Sequence, residues 1–187
     1  MPITIVPYDP DWPLRFVTEA SVLERQLAPW FAAAHHIGST AVPGLAAKPK
    51  LDIDIVLVSE AALPLAIAVM QQSGTYRFHG SPYQDGRWSF TASREGYGLR
   101  LSLCGPDNPD HARRILFRDY LRAQPGVASA YEQLKRRLAA EAADDWDVYT
   151  GGKTQFIEDA IRSAIASQET LEVNPETRAP DGGNAGA

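Results

Sequence analysis

The alternation of apolar and polar residues predicts the strands of this chain. Apolar side chains dominate residues 51–58, which is typical of a strand buried on at least one face. Strict alternation over residues 99–103 places leucines on one face and Arg100 and Ser102 on the other. Further strands are predicted at 3–6, 33–37, 76–79 and 86–92.

Apolar residues also recur at helical spacing. The pattern predicts an amphipathic helix over residues 13–28, and Asn108 with Pro109 forms an N-cap and first-turn pair for a later one. His111 in that later helix is expected at the surface. Helices are predicted at 13–28, 59–73, 109–123 and 127–142, and from Thr150 or Gly151 onwards.

These elements predict an α/β (α+β) fold, with a small mixed sheet, helices on one of its faces and C-terminal helices packed beside it. We expect one domain over residues 1–167, with an α/β core to about residue 105 and a helical part over 106–167. Residues 168–187 lack periodicity and end in a run of small and polar residues, so we expect a disordered tail there.

Two carboxylates stand one residue apart in the strand over residues 51–58. Asp52 and Asp54 therefore point to the same face, with Cα atoms about 6.5 to 7 Å apart at the usual strand rise. Unpaired carboxylates on a half-buried strand are costly without a cation or a hydrogen-bond network. Their oxygens suit hard divalent ions, so Asp52 and Asp54 are the predicted metal ligands, with Mg²⁺ or Mn²⁺ as the expected cofactor.

The loop before this strand has the composition of a phosphate-binding site. Glycine lets a ligand approach the backbone closely, so the amides at Gly38 and Ser39 are predicted to cradle a phosphate. Lys48 and Lys50 follow in the same loop and can neutralise its charge. These residues make the loop the predicted anion-binding part of the site.

Three side chains near this site leave alternatives open. His35 and His36 face opposite sides of a strand and do not easily share one metal ion, and His36, beside the Gly-Ser turn, is the better functional candidate. Arg100 cannot ligate a cation, but it can bind a phosphate, or it can pair with Asp52 or Asp54 when no metal is present.

Composition narrows the class of protein. The 187 residues are 44% hydrophobic, carry a formal net charge of −5 and include one cysteine, Cys104. A single cysteine excludes an internal disulfide framework and fits a reducing compartment, and no apolar run reaches the length of a membrane span. We therefore expect a cytoplasmic protein without a membrane partner, and the acidic balance argues against broad nucleic-acid binding.

The stretch over residues 37–56 resembles the nucleotidyltransferase superfamily typified by DNA polymerase β. In that signature an apolar residue, Gly and Gly or Ser precede Asp-x-Asp in a strand, as Ile37, Gly38 and Ser39 precede Asp52 and Asp54 here. The loop over residues 37–49 is similar almost residue for residue to the hallmark of one branch, the GrpB family. The resemblance extends over about residues 3–166, with further matches at 116–122, Tyr149, Lys153, Phe156 and Ile157.

The resemblance implies metal-dependent transfer of a nucleoside monophosphate to an acceptor that the sequence does not identify. It also implies a third carboxylate on a later strand, where this chain has Arg100 and Ser102; the nearest acid, Glu95, lies in the preceding turn. The residues expected around the triphosphate are Gly38, Ser39, Thr40, Lys48, Lys50, Arg100, Arg118 and Lys153, with His36 and Ser102 as further candidates.

Alternatives stand beside this expectation. Arg118 belongs either to a solvated, salt-bridged face with Arg113, Arg114 and Arg122 or to the phosphate site, and Lys153 is either a solvated lysine or a triphosphate contact. The missing third carboxylate favours a catalytically inactive domain that binds a nucleotide or a phosphorylated, coenzyme A-related ligand. GrpB-like domains resemble a domain fused to dephospho-coenzyme A kinase. The oligomeric state is left open.

Overall fold

The computed structural model describes residues 3–142 and 145–173, with side chains described to residue 169. Helices and strands together form the first part, and helices alone form the second part. In chain order the elements are α1 (Trp12–Leu27), β1 (Phe31–Ile37), β2 (Lys50–Leu57), α2 (Leu63–Gln72), β3 (Arg77–Phe78), β4 (Trp88–Arg94), β5 (Tyr97–Cys104), α3 (Pro109–Ala123), α4 (Pro125–Glu141), α5 (Trp146–Gly151) and α6 (Thr154–Val173).

The five strands form one mixed sheet in the order β1-β2-β5-β4-β3. The central strands β2 and β5 run parallel, while the other neighbouring pairs are antiparallel. The register sets Asp52 opposite Arg100 and Asp54 opposite Ser102. The polar positions of both strands therefore share one face at the centre of the sheet.

The opposite face of the sheet carries the main core. Leu51, Ile53 and Ile55 of β2 are fully buried and belong to one apolar cluster with Leu23 of α1 and Met70 of α2. The leucines of β5 join the same cluster. Burying these side chains, at about 1.5–3 kcal/mol each, is the main force that holds α1 and α2 against the sheet.

Helix α3 packs over the polar face. Asn108 caps it by accepting a hydrogen bond from the amide of His111 at 2.9 Å, as the Asn-Pro pair predicted. His111 is 9% exposed and its ring contacts Asp54, so its predicted surface position is wrong. The predicted arrangement of helices on one face is therefore also incomplete, because α3 covers part of the other face.

Two of the predicted boundaries change. Residues 3–6 do not form a strand; a single pair of hydrogen bonds joins Val6 to Ala47, with N–O distances of 2.8 and 3.0 Å. The last helix reaches Val173, beyond the predicted start of a disordered tail at residue 168, and residues 174–187 of that tail lie outside the described residues. Within the part that is described, no helix has the length and hydrophobicity needed to cross a bilayer.

Candidate functional site

The loop between β1 and β2 turns at a position that only glycine tolerates. Gly38 has φ +77° and ψ −149°, a region that disfavours side chains. A Cβ atom there would lie 2.7 Å from Oδ2 of Asp52. The turn therefore brings the loop backbone directly against the first carboxylate of β2.

Charged side chains of the C-terminal helices hold this loop through its carbonyl and amide groups. Arg122 donates from Nε and a terminal nitrogen to the Ala41 carbonyl, at 2.9 and 2.7 Å. Glu132 accepts a hydrogen bond from the Ala46 amide at 3.0 Å, and Lys135 donates to the Ala46 carbonyl. The helical part thus positions the loop as well as covering it.

The two aspartates are held by basic partners. Nε of Arg100 donates to Asp52 at 2.7 Å. Asp54 is fully buried and accepts from Arg114 at 2.6 Å through Oδ1, while its Oδ2 lies 3.0 Å from Nδ1 of His111. The hydrogen-bond network that the sequence required of these carboxylates is therefore supplied by protein side chains.

These ion pairs bear on the predicted metal site. Burial would raise the pKa of Asp52, but the charges of Arg100 and Lys50 outweigh it, so its pKa lies below the usual value. Both carboxylate oxygens of Asp54 are already bonded, to Arg114 and His111. Among the described residues no group of three or more His, Cys, Asp or Glu can hold a metal ion. In this arrangement the donor set does not fit Mg²⁺.

A pocket of about 380 Å³ opens between the loop, the polar face of the sheet and helices α3, α4 and α6. Every lysine of the sequence lines it: Lys48, Lys50, Lys135 and Lys153. In the described part of the chain none of these ammonium groups has a carboxylate within 4 Å. The pocket therefore concentrates unpaired positive charge in a protein whose net charge is negative.

The pKa values of the lysines reflect this concentration. Burial, followed by the charges of Lys50 and Lys153, lowers the pKa of Lys48 to about 7. Burial, followed by the charge of Arg100, lowers the pKa of Lys153 to about 8. An anion in the pocket would offset both the mutual repulsion of these ammonium groups and the energetic cost of their desolvation.

Aromatic and aliphatic side chains form the remaining wall. The ammonium groups of Lys48 and Lys153 lie 4.6 and 4.0 Å from the ring centroid of Tyr149, and Lys48 also lies 4.3 Å from that of Trp146. Cation–π contacts of this kind orient the lysines without neutralising them. The apolar lining consists of Ala47, Phe117, Tyr131, Tyr149, Ile157 and Ile161.

Most of the predicted phosphate-binding residues meet in this pocket. Its lining includes Gly38, Ser39, Thr40, Lys48, Lys50, Arg100 and Lys153, together with Asp52. Arg118 does not line it; its guanidinium donates to the His36 carbonyl at 3.0 Å and pairs with Asp119. Ser102 is buried and accepts a hydrogen bond from Arg114 at 3.3 Å.

His36 does not line the pocket, and its contacts are structural. Its Nε2 lies 2.9 Å from the Thr40 hydroxyl, and its ring stacks on Phe16 with centroids 4.9 Å apart. Burial lowers its pKa to about 4, so the ring is neutral near pH 7. It supports the turn after β1 from the side facing α1.

Sequence analysis missed Arg114, His111 and Lys135. The first two share a helical stripe with Leu121, at spacings of three and seven residues, so the burial of Leu121 could have indicated that they face inward. Lys135 likewise follows Tyr131 by four residues on the buried side of α4. The interpretation of the α3 arginines as a purely solvated face is therefore wrong for Arg114, whose side chain is 21% exposed.

Comparison with known protein sequences finds relatives over most of the chain. A family model described as GrpB protein matches residues 2–163. The UPF0157 protein YqkA of Bacillus subtilis is 35% identical over 162 residues, which cover 87% of this chain and 47% of YqkA. A dephospho-CoA kinase of Mycolicibacterium paratuberculosis is 26% identical over 187 residues, covering 87% and 46%. The chain thus spans about half the length of these two relatives.

Solved structures show the same architecture. The crystal structure of conserved protein GrpB from Enterococcus faecalis matches with a TM-score of 0.79 and 29% identity, covering 89% of this chain and 99% of that one. The structure of the GLD-2/RNP-8 complex matches with a TM-score of 0.59 and 10% identity, covering 94% and 70%, a likeness of fold alone. The predicted nucleotidyltransferase-like fold is confirmed.

Proposed function

This chain belongs to the GrpB family, and from that premise we propose that its pocket binds a nucleotide or another phosphorylated small molecule without a divalent metal ion. One observation carries the proposal: all four lysines of the sequence line a single pocket and none is paired with a carboxylate among the described residues. Phosphate oxygens are the ligands that such a group of ammonium donors favours.

The other residues that line the pocket indicate which kind of ligand it prefers. Tyr131, Tyr149 and Phe117 provide aromatic surface beside the lysines, so the preferred ligand carries an apolar or aromatic part next to its phosphates. A volume of about 380 Å³ suits a molecule of nucleotide size. The coenzyme A-related ligands implied by the family resemblance also carry phosphates and an aromatic base.

Within this proposal the carboxylates have an organising role. Asp52 orients Arg100, which also lines the pocket, and Asp54 orients Arg114, which lines it from α3. Each guanidinium keeps further N–H groups for an anion after pairing with its carboxylate. The aspartates therefore fix the direction of two donors instead of binding the ligand themselves.

Metal-dependent nucleotidyl transfer is the second candidate. The nucleotidyltransferase-like fold favours it, as does the close packing of Gly38 against Asp52 at the mouth of the strand pair. It requires Asp52 and Asp54 to exchange Arg100 and Arg114 for a cation, which leaves two partly buried guanidinium groups without their partners. That cost places it behind metal-independent binding.

Calorimetric titration distinguishes these two functions. ATP, CTP, GTP and UTP are each titrated in the presence of a chelator and then of Mg²⁺, on wild type and on Asp52→Asn. We expect at least one nucleotide to bind with similar affinity in both buffers, with binding retained in Asp52→Asn. Binding that needs Mg²⁺ and is lost in Asp52→Asn would instead establish the transferase function.

A matched pair of variants tests the lysines. Lys153→Gln removes a positive charge that lines the pocket, whereas Arg137→Gln removes one from an exposed position on α4. We expect the nucleotide Kd to rise about tenfold in Lys153→Gln and to stay within twofold of wild type in Arg137→Gln. Equal effects of the two changes would show that only net charge matters and would contradict the proposal.

Amine acylation gives an independent test. Lys48, Lys50 and Lys153 line the pocket and are only partly buried, so a bound nucleotide should slow their acylation by an amine-reactive reagent. Peptide mass spectrometry reports each site separately. Unchanged acylation of Lys48 and Lys153 at saturating ATP would place the ligand elsewhere.

A further inference from the structure

A second, smaller cavity lies on the same face of the sheet, outside the pocket. Its volume is about 240 Å³, and its lining consists of Pro82, Tyr83, Arg87, Ser89, Arg100, Ser102 and Arg114. Arg100 and Arg114 line both spaces, so these two guanidinium groups form the partition between them. Neither the fold comparison nor the sequence motifs assign this cavity a ligand.

The sheet register explains its position. Ser102 of β5 lies opposite Asp54 on one side and Ser89 of β4 on the other. Neighbouring strands are about 4.8 Å apart, so Ser89 lies about 10 Å from Asp54 along one polar row. The cavity therefore opens over β4 and β5, with Ser89 about two strand spacings from Asp54 of β2.

The arginines around the cavity are held in place from behind. Asp85 accepts hydrogen bonds from the amide and Nε of Arg87, at 3.0 and 3.1 Å. Asn108 in turn donates to the Asp85 carbonyl at 2.8 Å, which ties the turn carrying Arg87 to the start of α3, the helix of Arg114. The relative positions of the guanidinium groups are therefore set before any ligand arrives.

The lining specifies the chemistry of the ligand. Among the described residues no carboxylate lines this cavity, and neither Ser89 nor Ser102 donates its hydroxyl proton to a protein group. Guanidinium and hydroxyl groups together offer donors directed at one small space, which repels cations and favours a group that only accepts hydrogen bonds. Arg100, with a side chain 38% exposed, remains accessible to such a group.

We infer that this cavity is a second oxyanion subsite, which binds a carboxylate or phosphate group next to the ligand of the pocket. The inference extends the proposed function, and it rests on that function only for the identity of the ligand in the neighbouring pocket. The shared arginines place the two anionic groups on either side of one partition. The subsite thus suits an acidic second molecule, or the distal acidic end of a single ligand.

NMR titration of ¹⁵N-labelled protein tests the subsite directly. Inorganic phosphate and, separately, acetate are added at constant ionic strength, and the amides of Arg87 and Ser89 are followed together with those of Gly38 and Lys153. Ser89→Asp puts a like charge into the cavity and should raise the Kd measured at Arg87 at least about tenfold. Ser93→Asp makes the same change at an exposed position of β4 and should leave it unaltered, while Ser89→Ala checks that the fold tolerates the site.

The outcomes separate this inference from the proposed function. Saturable shifts at Arg87 that Ser89→Asp abolishes and Ser93→Asp preserves support the subsite, whatever happens at Lys153. Shifts at Gly38 and Lys153 without any at Arg87 and Ser89 overturn it and leave the proposed function standing. Repeating the phosphate titration with ADP bound identifies the source: added shifts at Ser89 indicate a second molecule, and shifts caused by ADP alone indicate one ligand that spans both spaces.

Discussion

Two groups of charges meet in this protein, and they are treated differently. On the sheet, Asp52 and Asp54 are paired with Arg100, Arg114 and His111 at 2.6 to 3.0 Å. On the loop and in the C-terminal helical part, the four lysines line the pocket without a carboxylate partner among the described residues. The negative charges of the aspartates are compensated by protein side chains, whereas the positive charges of the lysines are not.

The difference separates structural from ligand-binding charge. A buried ion pair that loses one member leaves an uncompensated charge, so the carboxylate group should respond to mutation mainly in stability. Unpaired lysines with lowered pKa values destabilise one another, so they should respond mainly in ligand affinity. Three changes test this division, from the largest expected effect to the smallest.

Asp54→Asn should produce the largest loss of stability. The change removes the negative charge that compensates Arg114 within a fully buried site, and we expect the free energy of unfolding to fall by about 3–5 kcal/mol. Urea denaturation measures the loss. Asp159→Asn removes a carboxylate from an exposed pair with Arg162 and should cost less than about 1 kcal/mol. Similar losses in the two variants would mean that the Asp54 pair has no special structural role.

Gly38→Ala should have an intermediate effect on stability. An alanine there adopts a strained backbone conformation and places its Cβ against Asp52, at a cost of about 1–3 kcal/mol. Gly44 has nearly the same φ, +78°, but no atom lies within 4 Å of its Cβ position. A larger loss in Gly38→Ala than in Gly44→Ala, measured by urea denaturation, would show that contact with Asp52 adds to the backbone strain.

The smallest expected effect is a dependence of anion affinity on pH. Lys48 has a pKa lowered to about 7, so its positive charge is present below pH 7 and is lost as the pH rises above it. Sulfate keeps its charge over this range, and its Kd should rise roughly tenfold between pH 6 and pH 8, as expected for the loss of one proton at the site. Lys48→Arg keeps the charge and should lose most of this change.

The pH experiment also tests whether Lys48 is an unpaired lysine of the anion site. If the sulfate Kd is the same at pH 6 and pH 8 in wild type, then Lys48 is not an unpaired member of the anion site. If Lys48→Arg keeps the full dependence, the titrating group lies elsewhere in the lysine set.

Local pattern predicted the fold well because each element shows its own periodicity. The alternation in β5 placed its leucines in the core and Arg100 on the polar face, and the Asn-Pro pair located the start of α3 at Pro109. The pairing of Arg100 with Asp52, one of the predicted alternatives, could also be predicted from the pattern, because alternation had assigned both residues to the polar faces of their strands.

The partners of Asp54 could not be predicted in this way. His111 and Arg114 are 57 and 60 residues away from it in sequence, on a helix with no strand register to align it. The pattern within α3 indicates which side of the helix faces inward but does not identify the carboxylate beneath it. Arg118 lies one turn beyond Arg114 in the same helix. It donates to the His36 carbonyl instead of lining the pocket, which the pattern within α3 does not indicate either.

The sequence by itself determined the family, the order of the main elements and the two aspartates on one face, because these depend on local spacing and on a contiguous signature. Only the tertiary structure decided that the aspartates are paired with arginines and that lysines from two separate parts of the chain meet in one pocket. The physical reason is that the effect of a charge depends on its burial and on neighbours distant in sequence. Those neighbours are set by strand order and helix packing.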